Sequence, residues 1–188
     1  MRPKEKQILE AGLIHFLKFG FKGTSIDDIA KAAGVGKGTV YNYFENKEEL
    51  FTRVVNHHEQ KNERAFARQW KQYKGKDDPL IMFFIIHYRR IKEDVRKYNI
   101  TLETFLELIE NYQEKQGEKI ESKIQDLINL LIQGVKDGRY QPADHRKQAM
   151  VLFELSQQYL LKWIKMNDSD MEKDIRDVVS FFLTGILV

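Results

Sequence analysis

Cysteine is absent from this chain of 188 residues, which excludes disulfides and cysteine-ligated metals and fits a reducing compartment. The longest uninterrupted apolar run, residues 80–86, is too short to span a bilayer. The N-terminal residues lead straight into an amphipathic pattern, without an apolar signal segment. We therefore expect a soluble, cytoplasmic protein that makes no membrane contact.

Regular β patterning is also missing, because no stretch of β-branched residues alternates cleanly with polar ones. Apolar residues instead recur at helical spacing along nearly the whole chain. The three prolines, Pro3, Pro79 and Pro142, each precede such a stretch, where the missing N–H costs nothing. We predict an all-α protein of about nine helices, long enough to bury a sizeable core.

Basic residues are unevenly distributed along the chain. Residues 1–76 carry 15 Lys and Arg against 9 Asp and Glu, whereas residues 77–188 carry 16 against 19. A basic N-terminal part suits binding to nucleic acid, and a mildly acidic remainder is not drawn to the duplex. A chance asymmetry in a lysine-rich protein would give the same numbers, so charge alone does not decide between these interpretations.

Residues 24–47 carry the pattern of two short helices joined by a sharp turn. Apolar residues recur at helical spacing through residues 26–33, which gives the first helix one apolar face. Gly34 follows the last of them, where a left-handed backbone conformation is needed. This layout is typical of a helix-turn-helix, whose second helix enters the DNA major groove.

The second of these helices directs Val40 and Phe44 inward and its polar residues outward. Lys37 and Thr39 are best placed to read base edges, because lysine pairs with guanine acceptors and the threonine methyl can meet a thymine methyl. Gly38 allows close backbone approach, and tyrosine hydroxyls and lysine ammonium groups suit phosphates. The candidate DNA-binding residues are Thr24, Ser25, Lys37, Gly38, Thr39, Tyr41, Asn42, Tyr43 and Lys47. A half-buried spacer role for Tyr41 and plain solvent exposure for Asn42 remain open.

Two segments have glycines, aromatics and a lysine at a characteristic spacing: FGFKGTSIDDIA at residues 19–30 and GVGKGTVYNYFENK at residues 34–47. With their flanks, from Ile8 to Phe51, they resemble the N-terminal domain of TetR-type (tetracycline-repressor-like) transcriptional regulators. The resemblance implies that Tyr41 and Lys47 hold the DNA backbone. Gly36 departs from the family pattern, which more often has Ser there, and this removes one hydroxyl near the phosphates.

The resemblance also implies two domains. Residues 1–47 would form a three-helix DNA-binding domain, and residues 48–188 a helical ligand-binding and dimerisation domain. A fourth helix is predicted from about Asn46 to Lys74, and its middle, residues 56–65, is almost wholly polar. Such a helix is typical of a bridge between two bodies.

Several aromatic and histidine residues are candidates for an effector site. His87 follows the apolar run of a predicted central helix, so it is either a core histidine or a polar group in a ligand cavity. His57 and His58 point about 100° apart on a helix and do not easily share a metal, so we expect no metal site and no cofactor. The candidate ligand-binding residues, which are equally typical of core, are Phe66, Trp70, His87, Tyr88, Phe105 and Tyr112.

The last two predicted helices are long and amphipathic, and Ser169 with Glu172 predicts a capping box at the start of the last one. These helices either pack only against the other helices of their own chain or also pair with a second copy in a four-helix bundle. We favour a homodimer, because a single helix-turn-helix makes few base contacts. The candidate interface residues are Leu152, Ser156, Tyr159, Trp163, Ile175, Val178, Val179, Phe182 and Ile186.

The resulting hypothesis is a ligand-responsive repressor. A homodimer would bind a palindromic operator in double-stranded DNA, and a small, hydrophobic effector would release it. The alternative keeps the DNA binding but lets the C-terminal domain only dimerise or dock a protein partner. An all-helical enzyme is disfavoured, since no nucleophile signature, Gly-rich phosphate loop or paired-carboxylate arrangement stands out.

Overall fold

The computed structural model describes residues 2–115, 117–166 and 170–184, and the side chains in these ranges except those of residues 112–119 and 184. Within these ranges the chain is helical, without strands, and the prediction of an all-α fold is confirmed. No helix of the described part is both long and apolar enough to cross a membrane. The helices are α1 (Pro3–Phe19), α2 (Ile26–Ala32), α3 (Lys37–Tyr41), α4 (Lys47–Gln72), α5 (Pro79–Tyr98), α6 (Leu102–Lys115), α7 (Gly117–Lys136), α8 (His145–Met166) and α9 (Met171–Thr184).

The chain divides into two compact units. The N-terminal unit comprises Met1–Ala67 and Lys92–Lys115, and the C-terminal unit comprises Arg68–Ile91 and Gln116–Val188. Helices α4 and α5 therefore contribute residues to both units. The predicted boundary after residue 47 separates a DNA-binding domain from a ligand-binding and dimerisation domain, and it stays a prediction.

The core of the N-terminal unit is built from helices α1 to α4. Phe16, Ile29, Val40, Phe44 and Leu50 are almost fully buried in one cluster. Burying side chains of this size is the main source of stability for so small a helical unit. Helix α6 packs against α1, and its Leu108 lies against the same cluster.

The core of the C-terminal unit centres on the first half of α5. As the apolar run predicted, six of its seven side chains from residues 80–86 are buried. Tyr88 is buried as well, and its hydroxyl donates to Ser156 Oγ of α8 at 2.7 Å. Burial raises the pKa of the Tyr88 phenol, which stays protonated as a donor.

Two consecutive aspartates tie the loop before α5 to distant parts of the C-terminal unit. Asp77 accepts two hydrogen bonds from the Arg176 guanidinium of α9, at 2.5 and 3.2 Å. Asp78 accepts from the Tyr140 hydroxyl at 2.6 Å. The Tyr140 ring lies on Gly134, where an added Cβ would come within 2.1 Å of it. Side chains therefore help to fix both the loop and the α7–α8 connection.

The capping box predicted at the start of α9 is not tested by the structure. Ser169 lies outside the described residues, and in the described part Asp170 takes the capping role: its Oδ1 accepts the backbone N–H of Lys173 at 3.1 Å. Glu172 instead accepts two hydrogen bonds from Arg89, at 2.6 and 2.8 Å. In the described part Asp170 therefore caps α9, and Glu172 binds α5.

Candidate nucleic-acid interface

The turn between α2 and α3 is fixed at both ends of α2. Ser25 Oγ accepts the backbone N–H of Asp28 at 3.1 Å, which satisfies the first turn. At the other end Gly34 has a φ of +65°, as predicted, and Val35 N donates to Ala30 O at 3.0 Å. This left-handed residue reverses the chain sharply enough for α3 to start three residues later.

Helix α3 is anchored on one side and free on the other. Val40 and Phe44 are buried in the core, whereas Lys37, Gly38 and Asn42 are exposed. The Tyr41 side chain is 48% exposed, which leaves it accessible to DNA and does not decide against the spacer role. Thr39 and Tyr43 are half-buried at the edge of this surface. The side of α3 that faces away from the core therefore carries the side chains predicted to meet DNA.

An arginine missed by the sequence analysis extends this surface. The Arg2 guanidinium lies over the Tyr43 ring, 5.8 Å from its centroid. Such cation–π contacts hold a guanidinium in place without neutralising it. Nothing in the sequence around Tyr43 indicates that its ring contacts Arg2, which is more than forty residues away.

Thr24 has a structural role instead of the predicted DNA contact. Its side chain is only 2% exposed, and its hydroxyl donates to Gly20 O at 2.7 Å. The Ser25 hydroxyl is exposed but engaged with Asp28, whose carboxylate accepts from it at 2.5 Å. That hydrogen bond lowers the pKa of Asp28. Both hydroxyls thus stabilise the entry to α2.

Lys47 also makes hydrogen bonds within the protein. Its ammonium donates to the carbonyl oxygens of Phe21 and Thr24, at 2.9 and 3.0 Å, and lies 4.4 Å from the centroid of the Phe21 ring. These carbonyls belong to the α1–α2 loop, residues 20–25. Lys47 thereby joins this loop to the start of α4, and the phosphate contact that the resemblance implies for it stays a prediction.

The α1–α2 loop has a second anchor, from α6. The backbone N–H of Lys22 donates to Glu107 Oε1 at 2.7 Å. Gly20 has a φ of +72°, and a Cβ there would lie 2.3 Å from Glu107 Oε2. Glycine is favoured at this position by the backbone conformation, and a larger residue would also displace the Glu107 carboxylate. Sequence reasoning missed Glu107, because nothing local marks a partner 85 residues away.

Lys37, the first residue of α3, has an acidic neighbour. Its ammonium lies 2.9 Å from Asp27 Oδ2 of α2, and the two side chains are 52% and 55% exposed. The hydrogen bond to Asp27 raises the pKa of Lys37. The sequence analysis had assigned no contact to Asp27.

Comparisons with known proteins agree with this geometry. The family model described as bacterial regulatory proteins, tetR family, matches residues 8–54, which include the whole helix-turn-helix. An uncharacterized HTH-type transcriptional regulator of Bacillus subtilis, YhgD, is 31% identical over 173 residues, which cover 87% of this chain and 86% of that protein. This chain belongs to the TetR family.

Two further members are similar over nearly their whole length. The fatty acid metabolism regulator protein of Bacillus subtilis is 26% identical over 194 residues, covering 98% of this chain and 96% of the relative. The crystal structure of the Bacillus subtilis regulator FadR in complex with stearoyl-CoA has a TM-score of 0.75 at 24% identity, covering 96% and 98% of the two chains. The chain is thus a DNA-binding transcription regulator of the helix-turn-helix type, and its relatives are regulators, not enzymes.

The predicted effector residues are divided between the two units, and their role stays a prediction. Phe66 and Phe105 belong to the N-terminal unit, whereas Trp70, His87 and Tyr88 belong to the C-terminal unit. The side chain of Tyr112 lies outside the described residues. Tyr88, which is 1% exposed and bonded to Ser156, is a core residue.

His87 is a half-buried polar residue between aromatic side chains. Its ring stacks on Phe83 with the planes 12° apart, and it lies edge-on to Tyr88. Burial, with a smaller contribution from the charge of Lys123, lowers the pKa of His87 to about 3. The imidazole is therefore neutral at physiological pH and offers one donor and one acceptor.

The predicted dimer residues are mostly part of the protomer's own core. Leu152, Ser156, Trp163, Ile175 and Val179 are buried, so they are not available to a second copy without rearrangement. Tyr159, Val178 and Phe182 are half-buried, and Ile186 lies outside the described residues. Periodicity identified an apolar stripe but not which neighbour covers it. The large apolar side chains left exposed on α8 and α9 are Met150, Val151, Leu155, Met166 and Phe181.

Proposed function

We propose that this regulator is a repressor that binds a palindromic operator as a homodimer and leaves it when a small, hydrophobic effector binds. The observation that carries the proposal is the geometry of α3: Val40 and Phe44 fix the helix on the core, and its polar side chains face outward. A helix held in this way can enter the major groove without rearrangement.

The roles of the individual side chains follow from their positions. Lys37 and Thr39, in the first turn of α3, would meet base edges, and Gly38 would let the backbone approach the duplex. Tyr41, Asn42 and Tyr43 would bind phosphate oxygens, which fixes the register of the helix on the duplex. Thr24, Ser25 and Lys47 would support this surface from within the N-terminal unit.

The short recognition helix supports a dimer. Five residues of α-helix rise only about 7.5 Å, roughly the length of two base-pair steps. One head therefore reads few base pairs, and two heads related by a two-fold axis would read the two halves of a palindrome.

Exposed apolar side chains support an interface on α8 and α9. Val151 and Leu155 are one helical turn apart on α8, and Phe181 on α9 is 83% exposed. Val178 and Phe182 are half-buried and lie within one helical turn of Phe181. Exposed apolar side chains at helical spacing are typical of protein interfaces. We infer that this α8–α9 surface pairs with its copy.

The relatives support an effector with a long acyl chain. The fatty acid metabolism regulator is similar over the whole chain, and the FadR structure contains stearoyl-CoA. The C-terminal unit offers an apolar interior that includes the first half of α5, and the neutral His87 supplies a directional polar group there. We propose an acyl thioester as the effector class.

Release from DNA in the presence of an effector tests this proposal. The protein is bound to its selected operator duplex and titrated with stearoyl-CoA, and fluorescence anisotropy reports the bound fraction. Free coenzyme A, which lacks the acyl chain, is the matched control. We expect stearoyl-CoA alone to lower operator affinity. Equal affinity in all three conditions contradicts the acyl effector and favours a C-terminal domain that only dimerises or docks a partner.

A further inference from the structure

The Arg2 guanidinium and the Tyr43 side chain form a pair at the edge of the proposed DNA-binding surface. The guanidinium carbon lies 5.8 Å from the centroid of the Tyr43 ring. Tyr43 follows the last residue of α3 by two positions, so the pair lies at the C-terminal end of the recognition helix. An arginine over an aromatic ring keeps its N–H donors for other acceptors, because the face of the ring takes none of them.

The Tyr43 hydroxyl is available beside this cation. Within the described part of the chain it has no hydrogen-bond partner, yet it is not one of the buried polar atoms that lack one. The hydroxyl of this half-buried residue therefore reaches the solvent. The pair thus offers a planar cation and a neutral donor close together. A phosphate group suits such a set of donors, because a guanidinium binds two phosphate oxygens at once.

The backbone of Arg2 is anchored without the use of its charge. Its N–H donates to Glu5 Oε2 at 3.4 Å, and its carbonyl oxygen accepts the Lys6 N–H at 3.1 Å. The other carboxylate oxygen of Glu5 accepts from Arg53 of α4 at 2.8 Å. Among the described side chains, no carboxylate lies within ion-pair distance of the Arg2 guanidinium. An anchored backbone restricts the positions that the side chain can take, which lowers the entropy lost on binding.

Two lysines of the same surface already have partners in the protein. Lys37 lies 2.9 Å from Asp27 Oδ2, and Lys47 donates to two carbonyl oxygens of the α1–α2 loop. Each lysine must give up a contact before it binds DNA. Arg2 gives up none, because a phosphate at the edge of the guanidinium leaves the contact with the ring intact. Arg2 is therefore better placed than either lysine to neutralise a phosphate.

We propose that Arg2 and Tyr43 together bind one phosphate group of the DNA backbone, and that the Tyr43 ring positions the guanidinium for this contact. The inference rests on the proposed binding of DNA through α3. A contact with the backbone adds affinity for every sequence and fixes the end of α3 on the duplex without reading a base. Arg2 thereby extends the DNA-binding surface from the helix-turn-helix to the residue before α1.

Salt dependence distinguishes a phosphate contact from a structural role. Each phosphate that a cation neutralises adds about 0.9 to the slope of log affinity against log salt. The variants are Arg2→Gln, Tyr43→Phe, Tyr43→Leu and the combinations of Arg2→Gln with each tyrosine variant. Fluorescence anisotropy titrations use the operator duplex and a scrambled duplex of equal length at several salt concentrations. All proteins are prepared without an N-terminal tag, which would lie beside residue 2.

The matched control is Lys18→Gln. It removes one exposed positive charge from the opposite end of α1, where the ammonium lies 5.3 Å from the centroid of the Phe19 ring. The control therefore loses the same charge and the same kind of contact away from Tyr43. Thermal unfolding followed by circular dichroism establishes that all variants are folded.

We expect Arg2→Gln to weaken binding to both duplexes about fivefold to tenfold near 0.1 M salt and to make the salt slope shallower by about 0.9. Tyr43→Phe should leave the slope unchanged, since it removes only a neutral donor. Arg2→Gln should have its full effect in Tyr43→Phe but a smaller one in Tyr43→Leu, because no ring then positions the guanidinium. An unchanged slope in Arg2→Gln, or an equal change in Lys18→Gln, would overturn the inference. A full effect of Arg2→Gln in Tyr43→Leu would overturn the positioning role of the ring.

Failure of the proposed function gives a different result. If selection finds no operator but Arg2→Gln still makes the slope shallower on the scrambled duplex, sequence-specific binding fails and the phosphate contact stands. If Lys37→Ala abolishes operator selection but Arg2→Gln changes neither slope, the proposed function stands and the role of Arg2 is wrong.

Discussion

The ammonium of Lys47 donates a hydrogen bond to the carbonyl oxygen of Thr24 at 3.0 Å, and thereby joins the first turn of α4 to the entry of the helix-turn-helix. A second bond reaches Phe21 O, and the cation lies over the Phe21 ring. The loop that receives these bonds is also held by Glu107 of α6. Two helices outside the three-helix motif, α4 and α6, therefore hold the helix-turn-helix in place.

Replacing Lys47 should act first on stability. Lys47→Met removes two charge-assisted hydrogen bonds while keeping the aliphatic stem, and we expect it to lower the free energy of unfolding by about 2 kcal/mol. Urea denaturation followed by circular dichroism measures this change. A variant with wild-type stability but a shallower salt slope for DNA would instead show that Lys47 serves phosphates. Lys31→Met, an exposed lysine on α2, is the control for the loss of charge.

Gly38 and Gly20 should respond to alanine in opposite ways. A Cβ on Gly38 meets no atom within 4 Å, so Gly38→Ala should raise helix stability by up to about 1 kcal/mol yet weaken operator binding, because the methyl faces the duplex. Gly20→Ala should cost about 1–3 kcal/mol, because φ is +72° and Glu107 occupies the space. Thermal unfolding and anisotropy titrations measure both effects. Unchanged operator affinity in Gly38→Ala would mean that this backbone does not approach DNA.

His87 should make the protein less stable in mild acid. Its pKa is about 3 in the folded state against 6.5 for the free side chain, so the unfolded chain binds more protons between these values. The free energy of unfolding therefore falls as pH is lowered through this window, by about 2 kcal/mol between pH 7 and pH 5 from this residue alone. Urea titrations of the wild type and His87→Gln at both pH values isolate this contribution. Equal pH dependence in the two proteins would show that His87 is not enclosed.

Phe181 should hold the dimer together. Replacing this exposed apolar side chain by aspartate places two like charges at the proposed symmetric interface, where each carboxylate would be buried without a partner, so Phe181→Asp should dissociate the dimer. Sedimentation velocity over a range of concentrations measures the assembly. Met166→Asp, at a side chain that is 62% exposed near the end of α8, is the matched control. A Phe181→Asp protein that sediments like the wild type would place the interface elsewhere.

Local sequence signals were enough for the helix-turn-helix. The spacing of Val40 and Phe44 gave the buried face of α3, and Gly34 gave the left-handed turn. Both depend on interactions within a few residues, which periodicity and turn chemistry describe well.

Sequence patterns did not predict the contacts between segments that are distant along the chain. Nothing in the sequence near Glu107 indicates its bond to the Lys22 N–H, 85 residues away. On α8 the sequence identified an apolar stripe, but Leu152 lies in the core while its neighbour Val151 is exposed. Which face of α8 is buried depends on the packing of the whole C-terminal unit, and the sequence of one helix does not determine that packing.

Selection of bound duplexes from a random pool, at two salt concentrations, tests the central claim most directly. The account predicts a two-fold palindrome whose half-sites lie one helical turn or more apart, enriched by the wild type but not by Lys37→Ala. Enrichment of no sequence, with binding that is lost at the higher salt concentration, would contradict sequence-specific recognition by α3.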